Sequence, residues 1–225
     1  LKYSGTNASE IINKAVQNTP IYTTIRLLGN ITLTQQILID LSVRIEFDYL
    51  YTKDNIDVIH VYKLNAHMYY VVNIKGKKIW VKAGEFDDNH AGIHIEDSSQ
   101  VNVNVGIIDL AYSTGASDCD GSAVWLDAKT TGVMQVNVEV NNIWDFRNGF
   151  YLTNEGNAYI DICYFKGMVN NADHTVFVNQ SGTSCITDCT FEVTSQSPAK
   201  TSGRRTDAIT LNTTIDAGVS YLLFL

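Results

Sequence analysis

A chain of 225 residues with 16 Lys+Arg against 24 Asp+Glu carries a formal net charge of −8. That balance excludes the clustered cations that nucleic-acid binding or a polybasic membrane anchor requires. No apolar run approaches the roughly 20 residues of a membrane-spanning helix, so membrane insertion is not expected. Only 18% of residues are charged and 45% are apolar, enough to bury a core in one large domain; the many β-branched and aromatic side chains favour pleated sheet.

The chain opens without Met and without a secretory leader pattern, which reads as a processed chain or a fragment. Within residues 4–17, Ala8, Ile11, Ile12, Ala15 and Val16 recur at helical spacing, with Thr6 or Asn7 as N-cap and Glu10 close behind. After Pro20 the period changes to two, and short strands are expected at 22–28, 31–33, 36–39 and 43–47. Segment 48–84, rich in Tyr, Lys and Val, reads as a hairpin or an insertion.

From residue 92 a repeat sets in. Gly92–Glu96, Ala123–Asp127, Gly149–Thr153, Thr175–Asn179 and Ala208–Asn212 align on their apolar positions. Their last apolar residues, Ile95, Leu126, Leu152, Val178 and Leu211, lie 31, 26, 26 and 33 residues apart. A second strand type alternates with the first: Val103–Ile108 aligns with Val138–Ile143, and Ile160–Phe165 and Ile186–Phe191 follow the same pattern. Short strands of two kinds repeating every 20 to 35 residues or so are the mark of a β-solenoid.

The capping helix, the stretch Ile25–Leu33 with Gln36–Ile39, and the Ile-x-x-Cys-x-Phe strands at 160–165 and 186–191 resemble the right-handed parallel β-helix of the pectate-lyase-like superfamily, in its tailspike-like or surface-adhesin-like forms. The resemblance implies an all-β fold with a short N-terminal capping helix. Residues 1–20 would form the cap and 21–225 the β-helix, with 199–225 as last coil or cap. Such a fold hosts lyases, hydrolases, tailspikes, adhesins and stalks, so it fixes architecture and leaves chemistry open.

With the aliphatic residues turned inward, the residue between them must point out. That outward column reads His94, Trp125, Tyr151, Phe177 and Thr210, and the position just past each strand reads Glu96, Asp127, Thr153, Asn179 and Asn212. Exposed rings beside short polar groups suit a sugar platform, in which rings stack on pyranoses and polar groups bond the hydroxyls; they also suit a subunit interface, such as that of a homotrimer. Asp145 and Arg147 lie beside this column and join it as candidate substrate-binding residues.

Glu96 and Asp127 should sit about one strand spacing apart, roughly 5 Å, and are the candidate catalytic pair of a retaining glycosidase. No full enzyme signature is present: polygalacturonase-like Gly-His-Gly and Arg-Ile-Lys elements are missing, and Arg147 is the only Arg between 45 and 203. Asp118, Asp120, Asp145 and Asp173 form an acidic loop rim that suits calcium as the one conceivable cofactor; otherwise none is expected. His60, His67 and His90 have no metal-binding spacing. Cys163 and Cys189 occupy one place in adjacent coils, as a disulfide or as stacked thiols, and Cys119 is the expected exposed thiol.

The expectation that emerges is an extracellular or virion-surface module recognising a cell-surface polysaccharide. A polysaccharide lyase or glycosidase and a non-catalytic stalk or assembly subunit are the alternatives.

Overall fold

The computed structural model describes residues 7–63, 71–82, 87–111, 121–170, 172–181, 186–196 and 207–213. It opens with one helix, α1 (Ala8–Asn18), capped by Asn7, whose Oδ1 accepts the Glu10 N–H at 2.9 Å. The helix turns Ile12, Ala15 and Val16 into the core and ends before Pro20. It also closes the open edge of the first coil. Asn13 donates to the Gln36 carbonyl and accepts from the Leu38 N–H, while Ser9 Oγ accepts from the N–H groups of Thr34 and Gln35. An edge strand left unpaired would otherwise template association.

The strands form two parallel sheets. The first holds β1 (Thr23–Leu33), β3 (Val43–Thr52), β5 (Val72–Lys82), β7 (Val101–Ala111), β9 (Val133–Trp144), β11 (Ile160–Asn170) and β13 (Ile186–Thr187) in that order, with β14 (Thr190–Gln196) also on β11. The second runs β2 (Ile37–Ile39), β4 (Ile59–Tyr62), β6 (Ala91–Glu96), β8 (Ser122–Ala128), β10 (Asn148–Asn154), β12 (His174–Gln180), β15 (Asp207–Thr213). Because the chain visits the two sheets alternately and every pairing is parallel, it winds as a right-handed parallel β-helix. Among the described residues no helix is long and apolar enough to cross a membrane.

The repeat sets the register of the second sheet. Ile95, Leu126, Leu152, Val178 and Leu211 stand opposite one another rung by rung. In the first sheet Val103 faces Val138 and Ile160 faces Ile186, but β11 meets β9 with Phe165 opposite Val138 and Ile160 opposite Val133. These strands run 11 to 12 residues, so an alternating apolar pattern fits at more than one offset, and the six-residue motif did not fix which.

Segment 48–84 is neither hairpin nor insertion in its described part. The end of β3, then β4 and β5, are parallel rungs of the two ladders. In β5, Val72 and Ile74 and then Ile79 and Val81 are buried, and Lys75 and Lys77 between the two pairs are exposed. Within 199–225 the described residues are those of β15, which pairs with β12.

Inside, aliphatic ladders and stacked rings fill the space between the sheets. Phe165 stacks on Phe191 at 4.9 Å and meets Phe150 edge-on. Cys163 and Cys189 are free thiols in adjacent coils; the neighbouring Cys189 sulfur and burial both push the Cys163 thiol up and keep it protonated. Cys119 lies outside the described residues.

Gly76 lies beneath the Phe47 ring, where a Cβ would stand 2.0 Å from a ring carbon. Gly76→Ala is therefore expected to lower unfolding free energy by about 1–3 kcal/mol through forced displacement of Phe47, measured by urea unfolding. A loss below a few tenths would mean that the ring moves aside freely.

Candidate functional site

Side chains on a parallel rung stack directly over their counterparts on the next. On the outer face of the second sheet that rule assembles one continuous pile of rings. His60 of β4, His94 of β6, Trp125 of β8, Tyr151 of β10 and Phe177 of β12 are successive register partners. Ring centroids lie 4.4, 4.3, 5.6 and 5.3 Å apart, with interplanar angles of 5°, 0°, 29° and 12°. His174 packs beside Phe177 at 4.8 Å.

This geometry revises the sugar-platform expectation. The outward column exists, but its ring faces lie against one another, so edges and polar rims meet solvent. His94 is covered altogether, at 4% exposure, which withdraws it from direct contact with a ligand. Thr210 is opposite Phe177 in the backbone register.

Beside the rings runs a groove of about 510 Å³. Of the candidates named from sequence, it brings together Trp125, Asp127, Arg147, Tyr151, Phe177 and Asn179. Asn89, Asn148, Thr153 and Ser181 add amides and hydroxyls, and Asp88, Lys129 and Glu155 add charge. Besides the covered His94, two candidates fall outside its lining. Glu96 is buried on the rung before Asp127. Asp145 has φ 67° and donates its N–H to the Asn170 carbonyl, the posture of a turn residue.

Trp125 is fixed in its plane by a relay. Its Nε1 donates to Thr153 Oγ1 at 2.7 Å, which donates to Asp127 Oδ1 at 2.8 Å. The other Asp127 oxygen meets His94 Nε2 at 3.3 Å and Lys129 Nζ at 3.0 Å. Asp57 closes the far side of the imidazole, 2.8 Å from Nδ1, and is anchored by the Ala91 N–H at 2.7 Å. Lys129 Nζ also lies 3.3 Å from Glu96.

Glu96 and Asp127 thus stand on adjacent rungs, but around a shared cation. Burial pushes the Asp127 carboxyl up, yet the hydrogen bonds from His94 and Lys129 overcome this and leave it below the usual range. Burial likewise opposes charge on His94, and the flanking Asp127 and Asp57 outweigh it, raising the imidazole to about 9. A carboxylate held ionised in this way has no proton to give a glycosidic oxygen. His60 behaves oppositely: desolvation first, then the charge of His94, lower it to about 4.

Among the described residues, the groups with donor atoms close enough to share a metal are Asp57–His60–His94 and His94–Glu96–Asp127. His60 therefore joins a cluster that its sequence spacing did not disclose. The acidic loop rim gathers no such group among the described residues; Asp118, Asp120 and His67 lie outside them. His90 pairs with Asp87 at 2.6 Å.

Sequence reasoning missed Asp57, Asp97 and Lys129, each of which reads locally as a turn residue. It also passed over a second aromatic region on the first sheet. There Tyr49 and Trp80 are each 45% exposed, beside a cavity of about 610 Å³ that Tyr51 also lines. Lys78, bonded to Asp109 at 2.6 Å, lies over the Trp80 ring.

No protein-family model matches the chain, and neither the curated proteins nor the solved structures contain a match to it.

Proposed function

We propose that the chain is a recognition module that binds a cell-surface polysaccharide through the groove along its second sheet, working outside a cell or on a virion surface as tailspike-like members of the pectate-lyase-like superfamily do. The observation that carries this reading is the convergence of Trp125, Asp127, Arg147, Tyr151, Phe177 and Asn179 on one groove. Asp127, Thr153 and Asn179 follow one another rung by rung. They stand at the strand spacing of about 4.8 Å, Asp127 and Thr153 bonded into the relay that fixes Trp125, with Asn179 lining the groove beyond them. A polymer of hydroxyl-bearing rings offers donors and acceptors at a comparable repeat, and ring edges with polar tips contact it without free stacking faces.

Binding is favoured over cleavage because Asp127, held ionised, cannot be the acid, and Glu96, which would then have to be, lies outside the groove. The test is a glycan array with reducing-end release followed in the same samples. Binding without release is expected, and Arg147→Ala combined with Asn179→Ala should weaken it at least about tenfold, or 1.4 kcal/mol, with β-type circular dichroism intact. Release of reducing ends would sink this reading in favour of a glycosidase or, with unsaturated products, a lyase.

The assembly-subunit reading has one specific observation behind it, the exposed Tyr49 and Trp80 rings on the opposite sheet. Tyr and Trp are enriched at protein interfaces. In that reading copies associate, as a trimer, through this flank; a sedimentation experiment that gives a monomer, with no glycan bound, would leave neither reading standing.

A further inference from the structure

We propose that His94, Glu96 and Asp127 form a seat for one divalent transition-metal ion, which the ammonium of Lys129 occupies when the ion is absent. The seat follows from strand geometry. His94 and Glu96 are two residues apart on β6 and share its outer face, and Asp127 stands opposite Glu96 on β8. One donor atom from each lies within 4.8 Å of the others, and all three residues are buried. The 3.3 Å between His94 Nε2 and Asp127 Oδ2 is the separation of two donors that each bind one ion at about 2.0–2.2 Å.

The surroundings are those of a built site. Asp57 takes the Nδ1 side of His94, which turns Nε2 toward the carboxylates, the arrangement by which a second carboxylate orients a metal-binding histidine. Thr153 holds the remaining Asp127 oxygen.

Two further observations point to a cation between these groups. Lys129 Nζ already sits 3.0 Å from Asp127 and 3.3 Å from Glu96, so the position accepts positive charge. Its side chain is 36% exposed and borders the groove, which gives it a path outward. Secondly, the buried His60 Nε2 has no hydrogen-bond partner, although Glu96 Oε2 is 3.3 Å away. The parallel stacking of His60 on His94 prevents both lone pairs from converging on one ion, but a water bound to that ion would give His60 Nε2 its partner.

Entry of the ion displaces Lys129 into the groove and the proton from His94 Nε2, two unit charges for one divalent ion. One nitrogen with two carboxylates suits Zn²⁺, Co²⁺ or Mn²⁺ over the all-oxygen preference of Ca²⁺ and Mg²⁺.

The experiment uses the whole chain, stripped with EDTA and titrated with CoCl₂ and ZnCl₂, read by Co²⁺ visible absorption and by calorimetry. One ion per chain is expected. Lys129→Met should tighten binding about tenfold by removing the competing ammonium, while Glu96→Gln and Asp57→Asn should each weaken it about 10–100-fold. Glu96→Gln keeps the proposal testable should His94 variants fail to fold. Failure of both Co²⁺ and Zn²⁺ to bind the unmodified chain would overturn the assignment, even if Lys129→Met bound them. So would binding unchanged by Glu96→Gln.

Discussion

Asp97→Ala is expected to lower the unfolding free energy by about 3–4 kcal/mol. Asp97 is fully buried, at φ 43°, just past the end of β6. Its Oδ1 accepts the backbone N–H groups of Lys129, Thr130, Thr131 and Gly132 at 2.9 to 3.2 Å, and Oδ2 accepts the Thr130 hydroxyl. Burial opposes the charge, but the Thr130 hydroxyl and the row of N–H groups hold the carboxyl below its usual range. One side chain thus organises the whole turn between β8 and β9. Alanine would leave those donors without their acceptor. Asparagine, similar in shape but with an NH₂ facing N–H groups, should recover little of the loss. Urea unfolding gives the magnitude, and faster hydrogen exchange confined to residues 129–132 in the native state would place the effect. A loss under about 1 kcal/mol would mean the turn holds itself. The same substitution frees the Lys129 backbone, so Lys129 should lose its fixed position between Glu96 and Asp127.

Asp97 also marks the boundary of what the sequence discloses. The strands of the second sheet and their register were legible because Ile95, Leu126, Leu152 and Val178 all point inward, and period-two alternation then fixes every neighbour. For the same reason the column His94, Trp125, Tyr151, Phe177 could be written down residue by residue, and Glu96 placed beside Asp127. The use of the rings was not legible. Alternation says which way a side chain leaves the sheet; it does not say that each ring lies flat against the next and so has no face to offer. Nor could it show that Asp57, in a turn 37 residues before His94, reaches the same imidazole, or that Lys129 folds back over Asp127. These contacts come from loops, whose direction no period encodes. Segment 48–84 was misread for a related reason: β5 alternates Val and Ile with outward lysines and Trp80, and its long register with β3 and β7 is visible only once the ladder is built.

The stacked pair His60 and His94 should give the metal-free protein a stability maximum near pH 6.5, with a loss of about 3 kcal/mol on each side. His60 is lowered from 6.5 to about 4. As pH falls from 6.5 toward 4, the unfolded chain takes up a proton that folded His60 refuses, so stability is lost on the acid side. His94 is raised from 6.5 to about 9. Its contribution is fully present below 6.5 and disappears as pH rises through 9. Two like rings 4.4 Å apart titrate in opposite directions because His94 is hydrogen-bonded by a carboxylate at each nitrogen, while at His60 desolvation and the charge of its neighbour outweigh the carboxylates of Asp57 and Glu96 at 3.7 and 3.3 Å. Urea midpoints across the pH range, taken in EDTA, test this directly. His60→Phe keeps a ring in the stack and should flatten the acid limb while leaving the alkaline one. His94→Gln should abolish the alkaline limb and cost about 3–5 kcal/mol near neutrality, because Asp57 and Asp127 would remain buried without their shared cation. An alkaline limb that survives His94→Gln would assign it to another group and overturn the charge placed on His94.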